Sequence, residues 1–256
     1  MKVFETSGLI WWRGSYWTHN DSGGENEIYR LDSLTGKIIQ TVKIQNVVNV
    51  DWEDIDQDDD YIYIGDFGNN LGNRTDLSIY KLPKKSITDK ENDTITAEII
   101  TFSYGDQQVY TVRNRAHNYD CEALISYGDS LYLFSKNWAD HRCRIYALPK
   151  NQGHYILPPV GEFNADGLIT GAAMDQNANQ MVLCGYKNYL PFVWILSDFG
   201  NTDFFGGNKR RVDFKELPAT QTEGITCIRK GVYSISAEKT KVNRAKIFSL
   251  DLNEIP

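Results

Sequence analysis

A short phrase repeats five times along the chain, and this repeat limits the possible fold more than any other feature. The copies read TSGLI, WEDID, CEALI, GAAMD and TEGIT, and their second residues are Ser7, Glu53, Glu122, Ala172 and Glu223. A hydrophobic or aromatic stretch begins nine residues after each of these positions, and another apolar phrase follows it in every unit. Self-similarity at a period of roughly 40–50 residues is typical of propellers, solenoids and arrays. The chain is therefore built from five similar units.

Each unit reads as four short β-strands separated by turns. In the second unit the apolar runs are WEDID, DYIYIGD, LSIYKLP and TAEIITFSY, and residues such as DQDDD separate them. Runs of this length, bounded by Gly, Asn, Asp and Ser, indicate strands and tight turns. No stretch of twelve residues shows the amphipathic pattern of a helix. The sequence therefore predicts an all-β protein.

The number of strands predicts a closed ring. The fifth unit supplies three strands before the sequence ends at Pro256, which would leave an unpaired edge that closed repeat folds avoid. We expect residues 1–5, MKVFE, to pair as the outermost strand of that unit. The prediction is one domain over residues 1–256, a five-bladed β-propeller of four-stranded antiparallel blades closed by the N-terminal strand. The long step from Glu53 to Glu122 leaves a six-bladed ring as the alternative.

Composition excludes several classes of partner. The net charge is −7 and the isoelectric point is about 5.2, which argues against binding to nucleic acid. No apolar stretch approaches the roughly 18 residues that a transmembrane helix needs. The spacing of the four cysteines fits no zinc motif. We expect a monomer, and the start MKVFETSGLI shows no signal-peptide pattern, which leaves the localisation open.

Three glutamates of the repeat are expected to converge at the axis of the ring. The innermost strands of a propeller line its axis, and Glu53, Glu122 and Glu223 occupy equivalent positions in three of them. Like charges in a narrow space raise one another's pKa and require compensation. Ca²⁺, which takes 6–8 oxygen ligands, would provide it, with Asn20 as a further ligand. Alternatively, the glutamates accept hydrogen bonds from neighbouring inner strands and lock blade to blade.

Polar segments that follow the second strands should lie on the same face as the glutamates. The reason is that the start of the innermost strand and the end of the second strand lie at the same end of an antiparallel sheet. The loops NDSGG and GDFGNN contain Asp21, Asp66 and Asn69, and Gly- and Asn-rich loops bring backbone close to a ligand. The lysines in the later units could neutralise the glutamates or bind a ligand; they are Lys136, Lys187 and Lys239. Aromatic residues expected to be exposed there are Phe67, Trp138, Tyr186 and Tyr189. The acidic run Asp54–Asp60 is predicted to be a solvated turn at the opposite end.

The wording of the motifs resembles a group of bacterial β-propeller proteins. It is carried by ETSGLI, WTHNDSG, DWEDI, YIGDFGNN, DCEAL, CGY and QTEGI, from Glu5 to about Glu238. That group is similar to the phytase-like, esterase-like and SdiA-regulated propellers. The resemblance implies a polar axial site, often associated with Ca²⁺, in an exported protein. Ala172 stands where a fourth acid would be expected, which argues against a full phytase-like site with several calcium ions.

Two functions follow from this sequence. One is a metal-supported hydrolase of an ester or phosphoester, in which the glutamates and Asn20 hold Ca²⁺. Lys136 or Lys187 would then stabilise developing negative charge, and Asp21 or Asp66 would act as the general base. The other is a non-catalytic propeller that binds a small molecule, a peptide or a carbohydrate on the same face. A purely structural ring of polar residues is a third interpretation.

Overall fold

The chain folds into a ring of antiparallel β-sheets. A computed structural model describes residues 2–3, 5–217, 219–238 and 245–255. The strands of the first blade, from the axis outward, are β1 (Thr6–Trp12), β2 (Ser15–Asn20), β3 (Glu27–Leu31) and β4 (Ile38–Ile44). The second blade contains β5 (Trp52–Gln57), β6 (Tyr61–Asp66), β7 (Ser78–Pro83) and β9 (Glu98–Tyr104). A short 3₁₀ helix, Lys84–Ser86, and strand β8 (Asn92–Ile95) separate β7 from β9.

The remaining blades repeat this order. The third contains β10 (Cys121–Tyr127), β11 (Ser130–Ser135), β12 (Cys143–Pro149) and β14 (Pro159–Phe163), with β13 (Gly153–Leu157) inserted before the last. The fourth contains β15 (Leu168–Asp175), β16 (Gln180–Lys187), β17 (Leu190–Ser197) and β18 (Asn208–Asp213). The fifth contains β19 (Thr222–Arg229), β20 (Val232–Ala237) and β21 (Lys246–Asp251).

Five blades close the ring. Each inner strand contacts the next one, in the order β1, β5, β10, β15 and β19, and β19 contacts β1 again. The prediction of a five-bladed propeller is confirmed, and the long second unit contains no sixth blade within the described residues. The core lies between neighbouring blades: Trp17 of blade one and Trp52 of blade two are fully buried together, as are Phe134 and Phe192 of blades three and four.

Two outer strands depart from the predicted antiparallel pattern. Strand β8 leaves the second unit and pairs parallel with β4 of blade one, and β13 leaves the third unit and pairs parallel with β9 of blade two. Each of these strands extends the preceding blade by a fifth strand and becomes its outer edge. The surplus in the second unit therefore forms a strap between neighbours.

The predicted closing strand is not found in the described part of the chain. Met1 and Phe4 of that segment lie outside the described residues, and Lys2, Val3 and Glu5 belong to no strand. The Glu5 carbonyl instead accepts a hydrogen bond from the amide of residue 21, at 2.9 Å, which continues the pairing of β1 with β2. The fifth blade thus has three strands among the described residues, and contact between β19 and β1 closes the ring. No helix among the described residues has the length and hydrophobicity needed to cross a bilayer.

Candidate functional site

A β-bulge in each glutamate-bearing inner strand turns the glutamate out of the strand pairing. In β5, Trp52 pairs with Asp66 and Asp54 pairs with Gly65, so Glu53 is the extra residue. The pairing of β10 is shifted in the same way at Glu122, and that of β19 is shifted around the third glutamate. A bulge leaves the extra residue unpaired and re-aims its side chain. Blade four differs: Ala172 pairs with Leu183, and the extra residue of its inner strand is Thr170, so the predicted equivalence of Ala172 with the glutamates is wrong.

The three glutamates are buried and act on one another electrostatically. The exposed fractions of Glu53, Glu122 and Glu223 are 3%, 2% and 5%. Burial raises the pKa of each well above its usual value, and the charge of Glu122 adds to the increase for Glu53. Glu223 in turn raises the pKa of Glu122. The three glutamates are thus near enough to one another for their charges to interact.

The tightest group of carboxylates contains only one of these glutamates. Oxygen atoms of Asp21, Asp51 and Glu53 all lie within 4.8 Å of one another. Asp21 follows the end of β2, and Asp51 precedes β5. The backbone at Gly68 packs directly on two of these groups, because a Cβ there would overlap Glu53 Oε1 and the Asp51 carboxylate. A glycine at position 68 therefore allows the carboxylates of Glu53 and Asp51 to stay where they are.

The donor set fits a hard divalent cation. Burial raises the pKa of Asp51 to about 7, and the neighbouring charges of Asp21 and Asp120 contribute to that increase. Burial also raises the pKa of Asp21. No hydrogen bond to the Glu53 carboxylate is formed by any other described residue. Carboxylate oxygens without donors are the ligands that Ca²⁺ prefers, so the residues present are suited to that ion.

Lys136 neutralises part of the axial charge, as predicted. Its Nζ atom lies 2.9 Å from Glu122 Oε1, and both side chains are buried. Burial lowers the pKa of Lys136, but the charges of Glu122 and Glu223 outweigh this effect and raise it well above the usual value. The same Nζ lies 4.9 Å from the centre of the Trp138 ring. Lys136 therefore remains protonated and separates the carboxylates from an aromatic surface.

The predicted metal ligand Asn20 is directed toward the N-terminal segment. Its side-chain nitrogen donates a hydrogen bond to the Lys2 carbonyl at 2.8 Å. Its backbone carbonyl accepts a hydrogen bond from the Asn49 side chain at 3.0 Å. The next residue, Asp21, supplies a carboxylate to the cluster instead. The ligand set that we derive from the geometry therefore contains Asp21 in place of Asn20.

Asp66 and Asn69, predicted to bind a ligand, are held by neighbouring groups. The Asp66 carboxylate accepts a hydrogen bond from the Tyr80 hydroxyl at 2.8 Å and pairs with Arg74 at 2.9 Å. The Asn69 side chain donates to the Tyr119 carbonyl at 2.9 Å and accepts from the Arg74 amide at 3.0 Å. These contacts fix the loop that packs on the carboxylates, so both residues position the site rather than face its interior.

The other two predicted lysines lie elsewhere. Lys187 is 40% exposed and pairs with Asp166 at 2.6 Å, in a cleft beside the axis rather than among the glutamates. Lys239 lies outside the described residues. Two of the aromatic residues expected at the surface, Phe67 and Tyr186, are buried. The Phe67 ring packs over Gly65 inside blade two.

Asp51 and Asp120 were missed, although the repeat contains a signal for them. Each stands two residues before a repeat glutamate, in DWE and DCE. Asp120 accepts hydrogen bonds from the Asn69 amide at 2.6 Å and from Trp138 Nε1 at 2.7 Å, so it joins the loops of two blades. Alignment of the five phrases two residues further upstream would have revealed this second set of acids.

The aspartates of β5, rather than the glutamates, lock blade two to blade three. Asp54 Oδ2 accepts a hydrogen bond from the Leu124 amide at 2.8 Å, and Asp56 Oδ2 accepts one from the Ser126 amide at 2.6 Å. Asp54 is 1% exposed. The interpretation of Asp54–Asp60 as a solvated turn is therefore wrong for its first half, because these carboxylates lie in a strand and replace water with backbone amides.

The raised pKa values predict how stability depends on pH. The pKa of Asp51 is about 7, against an ordinary value of 3.8, and that of Asp56 is also about 7. Between pH 4 and pH 7, roughly, the folded state keeps protons that the unfolded state has lost, so the free energy of unfolding falls as the pH rises. In cation-free protein, Asp51→Asn and Asp56→Asn should each flatten this fall, measured by chemical denaturation. Saturating Ca²⁺ should flatten the fall in unfolding free energy in wild type and in Asp56→Asn, but not in Asp51→Asn. An identical response of both variants to Ca²⁺ would contradict a cation site at Asp51.

A second prediction concerns the glycine beside the carboxylates. Gly68→Ala should abolish Ca²⁺ binding and leave the fold intact, because the new methyl group meets the movable ends of the Glu53 and Asp51 side chains rather than backbone. Titration calorimetry measures the binding, and circular dichroism checks the fold. Gly200→Ala is the control, since a Cβ there meets nothing within 4 Å and the backbone at Gly200 is not left-handed. Unchanged Ca²⁺ affinity in Gly68→Ala would place the cation elsewhere.

Comparison with known proteins shows the fold and no more. No protein-family model matches the chain, and no curated protein matches its sequence. Among solved structures, the PQQ-bound aldose sugar dehydrogenase of Streptomyces coelicolor aligns with a TM-score of 0.57 and 12% identity over 97% of this chain and 94% of that one. A glucose dehydrogenase aligns with a TM-score of 0.54 and 6% identity over 97% of both chains. A structure of a nidogen/laminin complex aligns with a TM-score of 0.51 and 12% identity over 97% of this chain and 76% of that one. The sugar dehydrogenases share the β-propeller fold with this chain.

Proposed function

We propose that the chain is a propeller that binds a hard divalent cation, Ca²⁺ first of all, at Asp21, Asp51 and Glu53, and hydrolyses an ester or phosphoester there. The observation that carries the proposal is the group of three carboxylates whose oxygens lie within 4.8 Å of one another. Glu53 in this group is buried and accepts no hydrogen bond from another described residue. A cation relieves the repulsion within such a group without further side chains.

The charge around the axis supports a cation as the first occupant. The acids that influence one another there are Asp21, Asp51, Glu53, Asp120, Glu122 and Glu223. Lys136 is the cation that pairs with one of them within the described residues. An anionic substrate would be repelled by this surface until a bound cation reversed the local charge. Cation binding therefore has to precede the entry of an anionic group among these carboxylates.

The side chains around the cluster have the properties that hydrolysis requires. A bound divalent cation supplies polarisation of the substrate oxygen. Lys136, held protonated by Glu122, offers a fixed positive charge where negative charge develops. Burial raises the pKa of Glu223, which accepts no hydrogen bond from another described residue and is suited to take up a proton. Asp66 is unsuited to that role because Arg74 holds it.

Hydrolysis is tested with p-nitrophenyl phosphate and p-nitrophenyl butyrate in the presence of Ca²⁺. Glu223→Gln should lower kcat by about a hundredfold, the size expected for loss of a proton-transfer group, and leave Ca²⁺ affinity within about twofold. The control is Glu25→Gln, which removes an exposed acid from blade one. Turnover that is absent in wild type, or unchanged in Glu223→Gln, would sink the hydrolytic proposal while Ca²⁺ binding could still be measured separately.

The second candidate is a non-catalytic propeller that binds a small molecule, a peptide or a carbohydrate on the same face. It is favoured by an aromatic cleft beside Lys136, lined by Trp138, Tyr186 and Tyr189. Binding of a ligand without any turnover distinguishes this candidate from a hydrolase. The resemblance to phytase-like and esterase-like propellers supports hydrolysis.

The names of two structural neighbours suggest sugar oxidation, and the axial charge argues against that chemistry with PQQ. PQQ carries several carboxyl groups. Among the described residues at the axis, carboxylate side chains outnumber the cationic side chain that pairs with them, Lys136. Like charges at close range cost free energy unless they are compensated. The axial residues therefore do not fit this cofactor.

A further inference from the structure

A cleft beside the axis combines aromatic rings with cationic side chains. Its volume is about 210 Å³, and it lies between blades three and four on the glutamate-bearing face. Six of the residues that line it are Arg115, Trp138, His141, Tyr186, Lys187 and Tyr189. Lys136, which pairs with Glu122, has its Nζ 5.6 Å from the centre of the Tyr186 ring. The cleft and the carboxylate cluster are thus separated by one buried lysine.

The aromatic part of the cleft is a flat surface with one exposed ring. Tyr186 and Tyr189 are stacked, with ring centres 5.9 Å apart and planes inclined by 6°. Tyr186 is buried, whereas Tyr189 is 55% exposed. The Trp138 indole is fixed by its hydrogen bond to Asp120 at 2.7 Å. A fixed aromatic surface of this kind binds the apolar face of a ring.

The backbone around the cleft is strained. Four residues that line it have left-handed backbone conformations: Arg115 (φ 52°), His141 (φ 57°), Asn188 (φ 52°) and Tyr189 (φ 63°). Such conformations are unfavourable for residues other than glycine and cluster at ligand sites. In Tyr189 the strained backbone belongs to the two-residue turn between β16 and β17, which holds the ring out over the cleft. Three loops with unfavourable backbone conformations, at Arg115, at His141 and at Asn188–Tyr189, thus meet at this cleft.

The cleft also contains a cation without a carboxylate partner among the described residues. The Arg115 guanidinium lies 4.7 Å from the centre of the Trp138 ring, and its hydrogen-bond partner is the Asn70 side chain at 3.4 Å. Lys187 is 40% exposed and pairs with Asp166, which is itself 57% exposed. An exposed pair of this kind contributes little and is readily exchanged for another anion. The cationic edge of the cleft is therefore free to take an anionic group.

We propose that this cleft binds a monosaccharide that carries an anionic group, a carboxylate or a phosphate. The sugar's apolar face lies on Tyr189 and Trp138, and its anionic group lies against Arg115 and Lys187. The volume is below the range of about 300–1,000 Å³ that larger ligands need, which limits the ligand to a single ring. A peptide segment would need a longer groove. The inference rests on the proposed function and names the substrate class of the same face.

Binding is measured by calorimetry with three probes: glucuronate, glucose 6-phosphate and glucose. We expect both anionic sugars to bind at least about tenfold more tightly than glucose, because a planar guanidinium pairs strongly with carboxylate and phosphate. The stronger of the two identifies the anionic group. Tyr189→Asn keeps a residue that tolerates the left-handed turn and should weaken binding by about tenfold, whereas Tyr189→Phe should bind like wild type. Lys90→Gln, on the outside of blade one, is the charge control and should change nothing.

The same titrations with and without Ca²⁺ separate this inference from the proposed function. Loss of Ca²⁺ binding in Asp51→Asn together with retained sugar binding supports the cleft as a site of its own. Sugar binding to wild type with no Ca²⁺ binding would contradict the proposed function and support the cleft. Intact Ca²⁺ binding with no heat from any of the three sugars would overturn the inference. Equal weakening by Tyr189→Asn and Tyr189→Phe would overturn it as well, because the ring would then have no part in binding.

Discussion

Ca²⁺ at about a hundred times its dissociation constant should stabilise the protein by about 2.7 kcal/mol, because a ligand that binds only the folded state shifts the unfolding equilibrium by mass action. For a chain of this size that corresponds to an increase in the unfolding temperature of about 5–10 °C. The physical reason is that the cation replaces repulsion among Asp21, Asp51 and Glu53 with attraction. Thermal unfolding of protein freed of cations with EDTA, with and without Ca²⁺, measures the effect.

Two variants show whether the stabilisation comes from this cluster. Glu53→Gln and Asp51→Asn remove one charge each from the ligand set, so each should abolish most of the Ca²⁺-dependent increase. Both should raise the stability of the cation-free protein at alkaline pH, because ionisation of these buried carboxyls there creates the repulsion that each variant reduces. Glu25→Gln serves again as the control for a single lost charge on the surface. An undiminished Ca²⁺ effect in Glu53→Gln would exclude the cluster as its source.

Gly8→Ala should destabilise the protein by about 4 kcal/mol, the sum of backbone strain and overpacking. Gly8 lies in β1 with φ +66°, and a Cβ there would be 2.6 Å from the Ile55 amide nitrogen of the next blade. On the other side, a Cβ at Gly224 would be 2.6 Å from the carbonyl carbon of Gly8. The nearest atoms of the neighbouring blade at both glycines are backbone atoms, which cannot move aside as the end of a side chain can.

A matched glycine separates strain from close approach. Gly14 has φ +69° and a Cβ there would meet nothing within 4 Å, so Gly14→Ala should cost about 1–2 kcal/mol, from the left-handed backbone alone. The free energy of unfolding of both variants is measured with guanidinium chloride. A loss in Gly8→Ala no larger than in Gly14→Ala would show that the inner strands are not packed as tightly as the ring requires.

The repeat predicted the blades because each strand and turn has a local sequence pattern. It did not predict which strands pair when the paired segments lie far apart in the sequence. The phrase around Glu53 and its counterparts fixed the inner strands and the count of five. Nothing in the residues of β8 or β13 indicates that each leaves its own unit and pairs parallel with the preceding blade. Short polar strands are compatible with several partners, so their pairing depends on the geometry of the complete ring.

The site was predicted in part for a related reason. The glutamates were found because they recur at one position, and Lys136 because it follows a second strand. The bulge that turns Glu53 inward is a feature of pairing between strands, which a single strand sequence does not reveal. Phe67 looked exposed because its loop is polar, yet the Gly65 backbone leaves room for its ring in the core.

The proposed cation site at Asp21, Asp51 and Glu53 is tested most directly by a crystal structure of protein grown with Mn²⁺ in place of Ca²⁺, with anomalous diffraction recorded to locate the ion. We expect an anomalous peak bonded to carboxylate oxygens of all three residues. A well-ordered axis with no anomalous peak there, or a peak bonded to other residues only, would contradict it.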